Sequence, residues 1–362
     1  MSRTVLITPT WQVSMWNKTA RLSESIAEAL TLLDRDVIVI TPQIYGGARR
    51  RWVDGIHIME VEDNPRGEWI KNAKQAYQSL RGITEAIVID SAAWQVAKDT
   101  IQGNIPVLAI AIYGQAIQGE RIASVRTDKL IDEENDMIAN ADKVLVNNEI
   151  LRERLIQTFT RDIDKLEMAA STAPEVDTVM EQANGAPKRE GEVVVVGKIG
   201  PELGVEKVMR VMPDLPWLKL NVIGMPRSEW EQNRVNLLIN RLNIEDRVKF
   251  SGWARTRDVL SAIHNAEMLV APSQVEYYGY SAMDGMCMNT PVIASTANVH
   301  LEIIQDAETG MLFQNQEELK YALSTLHDME PLRKQFVDKA SWSMKNERTI
   351  NRMAESLAAV MN

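Results

Sequence analysis

Short runs of β-branched and other apolar residues recur along this chain, separated by longer stretches with a helical period. The first series holds TVLIT (4–8), VIVIT (37–41), AIVID (86–90), VLAIAI (107–112) and KVLVN (143–147). A strand with one wet face alternates apolar and polar residues. These runs do not, so both of their faces must be covered, as in a parallel sheet flanked by helices. Residues 20–33 and 69–80 supply amphipathic helices between them. GIHIMEV (55–61) does alternate, and its pattern predicts an edge strand. Strands and helices in alternation predict an open, doubly wound α/β sheet.

The rhythm breaks at STAPEVDTVMEQANGAPKREG (171–191), where prolines, glycines and charges replace the periodic pattern. We read 173–191 as a linker. A second series follows: EVVVVG (192–197), LKLNVIG (218–224), 248–251, MLVA (268–271), PVIAS (291–295) and 310–313. At 362 residues the chain is long for one core and suits two. The expected organisation is an N-terminal Rossmann-like domain over 1–172, the linker, a C-terminal Rossmann-like domain over 192–335, and a helical segment over 336–362 that packs back on the first domain. Two such halves imply a cleft, with ligands bound beyond the carboxyl ends of the strands.

Composition removes several function classes. With 50 acidic against 40 basic residues the net charge is -10, which opposes a broad, non-specific grip on nucleic acid. One cysteine, Cys287, excludes an internal disulfide and a cysteine-built zinc site, and it fits a reducing cytoplasm. No run reaches transmembrane length, and MSRTVLITPTW lacks the apolar core of a signal peptide. The four histidines are scattered without metal-site spacing, and neither a Walker loop nor a G-x-S-x-G elbow occurs. We therefore expect no metal and no cofactor.

The segment VEYYGYSAMDGMCMNTPVIAS (275–295) carries the chemistry. It follows MLVAPS, so it sits at the carboxyl end of a buried strand, and residues 281–288 have helical character. Tyr278, Gly279, Tyr280 and Ser281 would form the helix's first turn, whose backbone N–H groups and dipole suit a phosphate. Gly279 would let the backbone approach that phosphate. Glu276 ahead of the turn would accept sugar hydroxyls, and Asp284 within the helix would take a ribose diol. Acid, phosphate cradle and acid match the layout of a nucleotide-diphosphate sugar.

At these residues the sequence resembles family-4 retaining glycosyltransferases of GT-B fold. EYYGYSAMDGMCMNTPVIAS is similar to that family's E-x7-E donor segment, with Asp284 standing at the second acid. VVVVGKIGPELGVEKV (193–208) resembles its VGRLxPEKG loop, RVKFSGWARTRDVLSAIHNAEMLVAPS (247–273) its following stretch, and ETGMLF (308–313) a later element. The resemblance implies a nucleotide-diphosphate-sugar donor, retention at the anomeric carbon and no obligatory metal. It implies that Glu276 orients the donor sugar and that Lys198, beside Gly197, meets the diphosphate in the place of an arginine. The family's lysine position holds Leu203, and Lys207, one helical turn on, is the candidate stand-in. The family's glycine-rich turn after the first strand is missing from TPTWQVSMWNK (8–18).

In the N-terminal half the candidates are Asp90 and Ser91, which end one strand, and Tyr113, which ends the next and replaces the family's histidine. Trp11 and Trp16 would stack on a sugar or a base on the acceptor side. Asp90 equally suits a helix cap, and the tryptophans equally suit a core. GGARRRW (46–52) is the basic tract, either a solvated loop or a grip on a phosphate-bearing acceptor. The acceptor is a glycan, a lipid, a small molecule or a modified base of DNA. Two rival readings follow: a degenerate relative that binds a sugar nucleotide or a partner without turnover, and a transferase acting on modified bases of viral DNA.

Overall fold

The computed structural model describes residues 2–11, 17–43, 48–65, 67–101, 105–111, 128–170, 174–183, 187–200, 203–226, 228–274, 276 and 278–361. The chain divides into two compact units. One takes the described residues up to Ala169 and adds those from Ile350 onward; the other runs from Ala170 to Thr349.

The first unit is built on an eight-stranded sheet ordered β3-β4-β2-β1-β5-β6-β7-β8. Its strands are β1 (Arg3–Ile7), β2 (Asp36–Gln43), β3 (Arg49–Val53), β4 (Ile56–Glu62), β5 (Ile83–Ile89), β6 (Val107–Ile110), β7 (Lys143–Val146) and β8 (Asp164–Lys165). All ladders are parallel except β3 with β4. Val5, Ile7, Ile38, Ile40, Val88 and Ala109 lie in its core with Trp69, Ala73, Tyr77 and Trp94 from the helices. The last helix, Ile350–Met361, packs along Lys18–Leu32 and buries Met353, Leu357 and Val360.

The second unit has a six-stranded parallel sheet ordered β11-β10-β9-β12-β13-β14. These are β9 (Arg189–Val196), β10 (Lys219–Ile223), β11 (Val248–Phe250), β12 (Ala266–Ala271), β13 (Val292–Ser295) and β14 (Met311–Phe313). β12, central and wholly buried, delivers the chain to the donor-like segment.

Three expectations need correction. Residues 56–62 are not an edge strand: β4 lies between β2 and β3, and the edge belongs to Arg49–Val53. Arginines conceal that strand, because an edge strand in water needs no apolar alternation. The stretch read as linker contains a helix, Pro174–Ala183, with Pro174 at its first position. There proline's missing N–H costs nothing, and the helix packs on Thr256–Asn265 with Val179 buried. Residues 336–362 do not act as one segment either. Glu330–Asn346 stays with the second unit, with Phe336 in that core, whereas Ile350–Met361 belongs to the first.

Candidate functional site

The site begins at the carboxyl end of β12. Gly279 takes φ +74° and caps the helix Tyr280–Cys287. An added Cβ there would lie 2.1 Å from Ile303 Cδ1, so packing as well as backbone sign requires glycine. Ile303 packs against the Cα of Gly279 on the side where a Cβ would stand.

Glu276 is buried, and its Oε1 accepts the backbone N–H groups of Tyr278 and Gly279, each at 3.2 Å. Two of the four amides expected to cradle a phosphate are therefore held by this carboxylate. Glu276 shapes the approach to the helix, a role that spacing in the sequence does not disclose. Tyr280 and Ser281 are the first two helical residues, where amides point out of the helix end for want of carbonyl partners one turn back. Tyr278 and Tyr280 are buried and stack with centroids 6.0 Å apart.

Asp284 is fully buried within this helix. A solvated surface carboxylate is thereby ruled out, since a charge is kept out of water only where polar groups compensate it. Behind the helix start, Ser295 Oγ donates to Ser273 O, and His300 Nδ1 lies 3.0 Å from Ser295 O. Ser273, Ser295 and His300 are all buried. Sequence reasoning passed over this wall; the one available signal was a serine or histidine just past each apolar run.

Lys198 is exposed at the end of β9. Gly197 N donates to Ile223 O at 2.9 Å and Ile199 N to Met225 O at 3.0 Å, so the ladder continues past both strands and pins Lys198 between its rungs. The approach is close enough that a Cβ on Gly224 would meet Gly197 O at 1.8 Å. Gly204, at φ +77°, seats the helix Val205–Val211 against Pro272, where a Cβ would lie 2.1 Å from the carbonyl oxygen. Lys207 extends from that helix over the Phe313 ring, 5.8 Å from its centroid, and burial lowers its pKa below the ordinary lysine value.

In the first unit the residues at the carboxyl ends of β1 and β5 adopt local roles. Asp90 sits at φ +76°, and its Oδ1 accepts from Ala92 N at 3.3 Å and from Ser91 Oγ at 3.1 Å. Helix capping is thus at least part of its work, at a left-handed φ that few non-glycine residues adopt. Ser91 and Trp11 are buried. Trp11 is a packing residue, not an exposed stacking platform, and its Nε1 has no hydrogen-bond partner among the described residues. Tyr113 and Trp16 lie outside the described residues. Among those residues, no three His, Cys, Asp or Glu side chains converge on a metal position, and no helix is long and apolar enough to cross a membrane.

Residues 177–341 match the family model described as "Glycosyl transferases group 1". A D-inositol 3-phosphate glycosyltransferase of Mycobacterium sp. (strain JLS) is 26% identical over 187 residues, covering 49% of this chain and 43% of the relative. The corresponding enzyme of Mycolicibacterium smegmatis is 23% identical over 211 residues, covering 55% and 48%. The chain thus spans less than half the length of these relatives. Among solved structures, a sucrose-phosphate synthase from Thermosynechococcus elongatus superposes with a TM-score of 0.83 at 18% identity, over 100% of this chain and 98% of that one. The Anabaena protein HepE in complex with UDP-glucose gives 0.76 at 14% identity, over 100% and 99%. The fold is GT-B, two α/β units with parallel sheets.

Proposed function

We propose that this chain transfers a sugar from a nucleoside-diphosphate donor to an acceptor hydroxyl, with retention at the anomeric carbon. One observation carries the reading. A helix start and a fully buried helical carboxylate, Asp284, stand at the carboxyl end of the central strand, within the segment that matches a glycosyltransferase family model. Negative charge grows on the departing diphosphate as the glycosidic bond breaks. The amides of Tyr280 and Ser281, with Lys198 nearby in the fold, offer fixed positive potential for that charge. The ribose hydroxyls fall to Asp284, which has no exposed surface in this structure and meets them as the helix start opens to the donor. Glu276 fixes the turn that presents the helix start and so orients the donor sugar. Its negative charge offsets the positive charge that grows at the anomeric carbon. The bond from the anomeric carbon to the diphosphate oxygen breaks, the bond to the acceptor oxygen forms on the same face, and the acceptor proton passes to the leaving phosphate. No metal is assigned a part.

UDP-, ADP- and GDP-glucose tested for thermal stabilisation should yield at least one clear rise in melting temperature, since a ligand specific to the folded state stabilises it by mass action. UDP-glucose comes first, because HepE, of like fold, is described with it. Glu276→Gln keeps an oxygen to accept the two amides and removes only the charge; it should retain the melting temperature and lose most transfer. Glu276→Ala should lose both. Full turnover in Glu276→Gln, or a product of inverted configuration by proton NMR, refutes the mechanism. Donor binding without turnover would support the degenerate relative instead.

A further inference from the structure

The tract RRRW, which sugar transfer leaves unused, forms the free edge of the first unit's sheet. β3 pairs antiparallel with β4 in the register Arg50↔Met59, Arg51↔Ile58 and Trp52↔His57, and among the described residues no strand pairs with its other side. Arg51 is neutralised by Glu60 at 2.9 Å. Arg49 and Arg50 are exposed, and among the described residues neither has a carboxylate within ion-pair distance. On a chain with ten excess negative charges, two adjacent unpaired arginines are out of character. Trp52 is 67% exposed and lies nearly parallel to His57, with centroids 4.9 Å apart and planes at 16°. Burial, then the charge of Arg50, holds the imidazole below its ordinary pKa, so it backs the indole as a neutral ring.

We propose that this edge binds single-stranded nucleic acid, with a base stacked on the outer face of Trp52 and one phosphate on Arg50 on that same face. The next phosphate lies on Arg49, which alternation places on the opposite face of the open edge. Two observations select that partner. Arg50 and Trp52 share one face two residues apart, about 7 Å along a strand, which is the scale of the step from a phosphate to its own base. The indole is held flat on one side and exposed on the other, as stacking demands, and a stacked base must be unpaired. A lipid surface fits less well, because Trp52 follows three arginines and no other large apolar side chain of the strand is exposed. The inference concerns the first unit alone and stands whether or not the chain transfers a sugar.

The test is fluorescence anisotropy of a labelled oligothymidylate of about a dozen nucleotides with the full chain. Binding should weaken with salt, with a log–log slope near −1.4 for two phosphate contacts. Trp52→Ala should weaken it about tenfold, and Arg49→Gln with Arg50→Gln should flatten the slope. All three side chains are exposed, so the melting temperature should not move. No binding at low salt, equal binding by the triple variant, or retention on anionic vesicles without oligonucleotide binding would each overturn the proposal.

Discussion

At Gly279 the backbone sits at φ +74°, and an added Cβ would lie 2.1 Å from Ile303 Cδ1 and 3.4 Å from Val299 Cγ2. Two penalties therefore fall on Gly279→Ala. A left-handed alanine costs about 1–2 kcal/mol, and overpacking a buried contact adds about 1–3 kcal/mol. They can be separated, because Ile303→Val deletes the atom nearest the new methyl. Denaturant unfolding of Gly279→Ala should show a loss of about 3 kcal/mol, and the double variant should recover the packing part but not the backbone part. Full additivity of the two substitutions would mean that Ile303 does not confine this turn. The same residue shows how far sequence reaches. A glycine after two tyrosines announces a turn, but the neighbour that also demands glycine there is 24 positions away in sequence, where no local pattern points to it.

Among the elements, strands buried on both faces were legible because nothing but a covered parallel sheet tolerates runs such as VVVV. Two elements were not: β3, whose arginines face water, and the Pro174–Ala183 helix, whose proline reads as a breaker until it falls at the first helical position. The turn at Glu276 was legible but not the carboxylate's bonding, because which donors it meets is settled by how its own turn closes. A further junction of elements was invisible. Lys188, just before β9, donates to His264 O at the end of Thr256–Asn265 and to Thr290 Oγ1 ahead of β13, the latter at 2.8 Å. Burial lowers its pKa from 10.5 to about 8. In the unfolded chain the amine keeps its proton up to about 10.5, whereas in the fold it releases it near 8. Between those values the unfolded state holds more protons, so stability rises with pH. Below pH 8 both states are charged and the contribution is constant. The rise should reach up to about 3 kcal/mol across this window. Urea titrations from pH 7.5 to 10.5 should show it in the parent and not in Lys188→Met; identical slopes would place the titration elsewhere.

For the whole molecule, the order of the chain and the order of the units differ. Residues from Ile350 return to the unit where the chain began, so the first unit is completed only by the last helix. The sequence revealed an amphipathic end, but not which sheet it would serve, since period alone identifies a face and not its partner. Here the partner is Lys18–Leu32, and the helix is tied further by Lys143 Nζ to Val360 O and by Glu167 N to Ser356 Oγ at 3.2 Å. Met353, Leu357 and Val360 are buried, each contributing about 2 kcal/mol of transfer free energy. Their sum, roughly 6 kcal/mol, is comparable with the whole stability of an ordinary domain. The second unit has its own core, in which none of these residues takes part. Deletion of residues 350–362 should therefore uncouple the two. In hydrogen-exchange mass spectrometry, amides of β1 and β2 should lose protection by orders of magnitude while those of β9 and β12 keep theirs. Loss spread evenly over both units would show that they unfold as one body, and unchanged β1 and β2 would show that the first unit stands without its final helix.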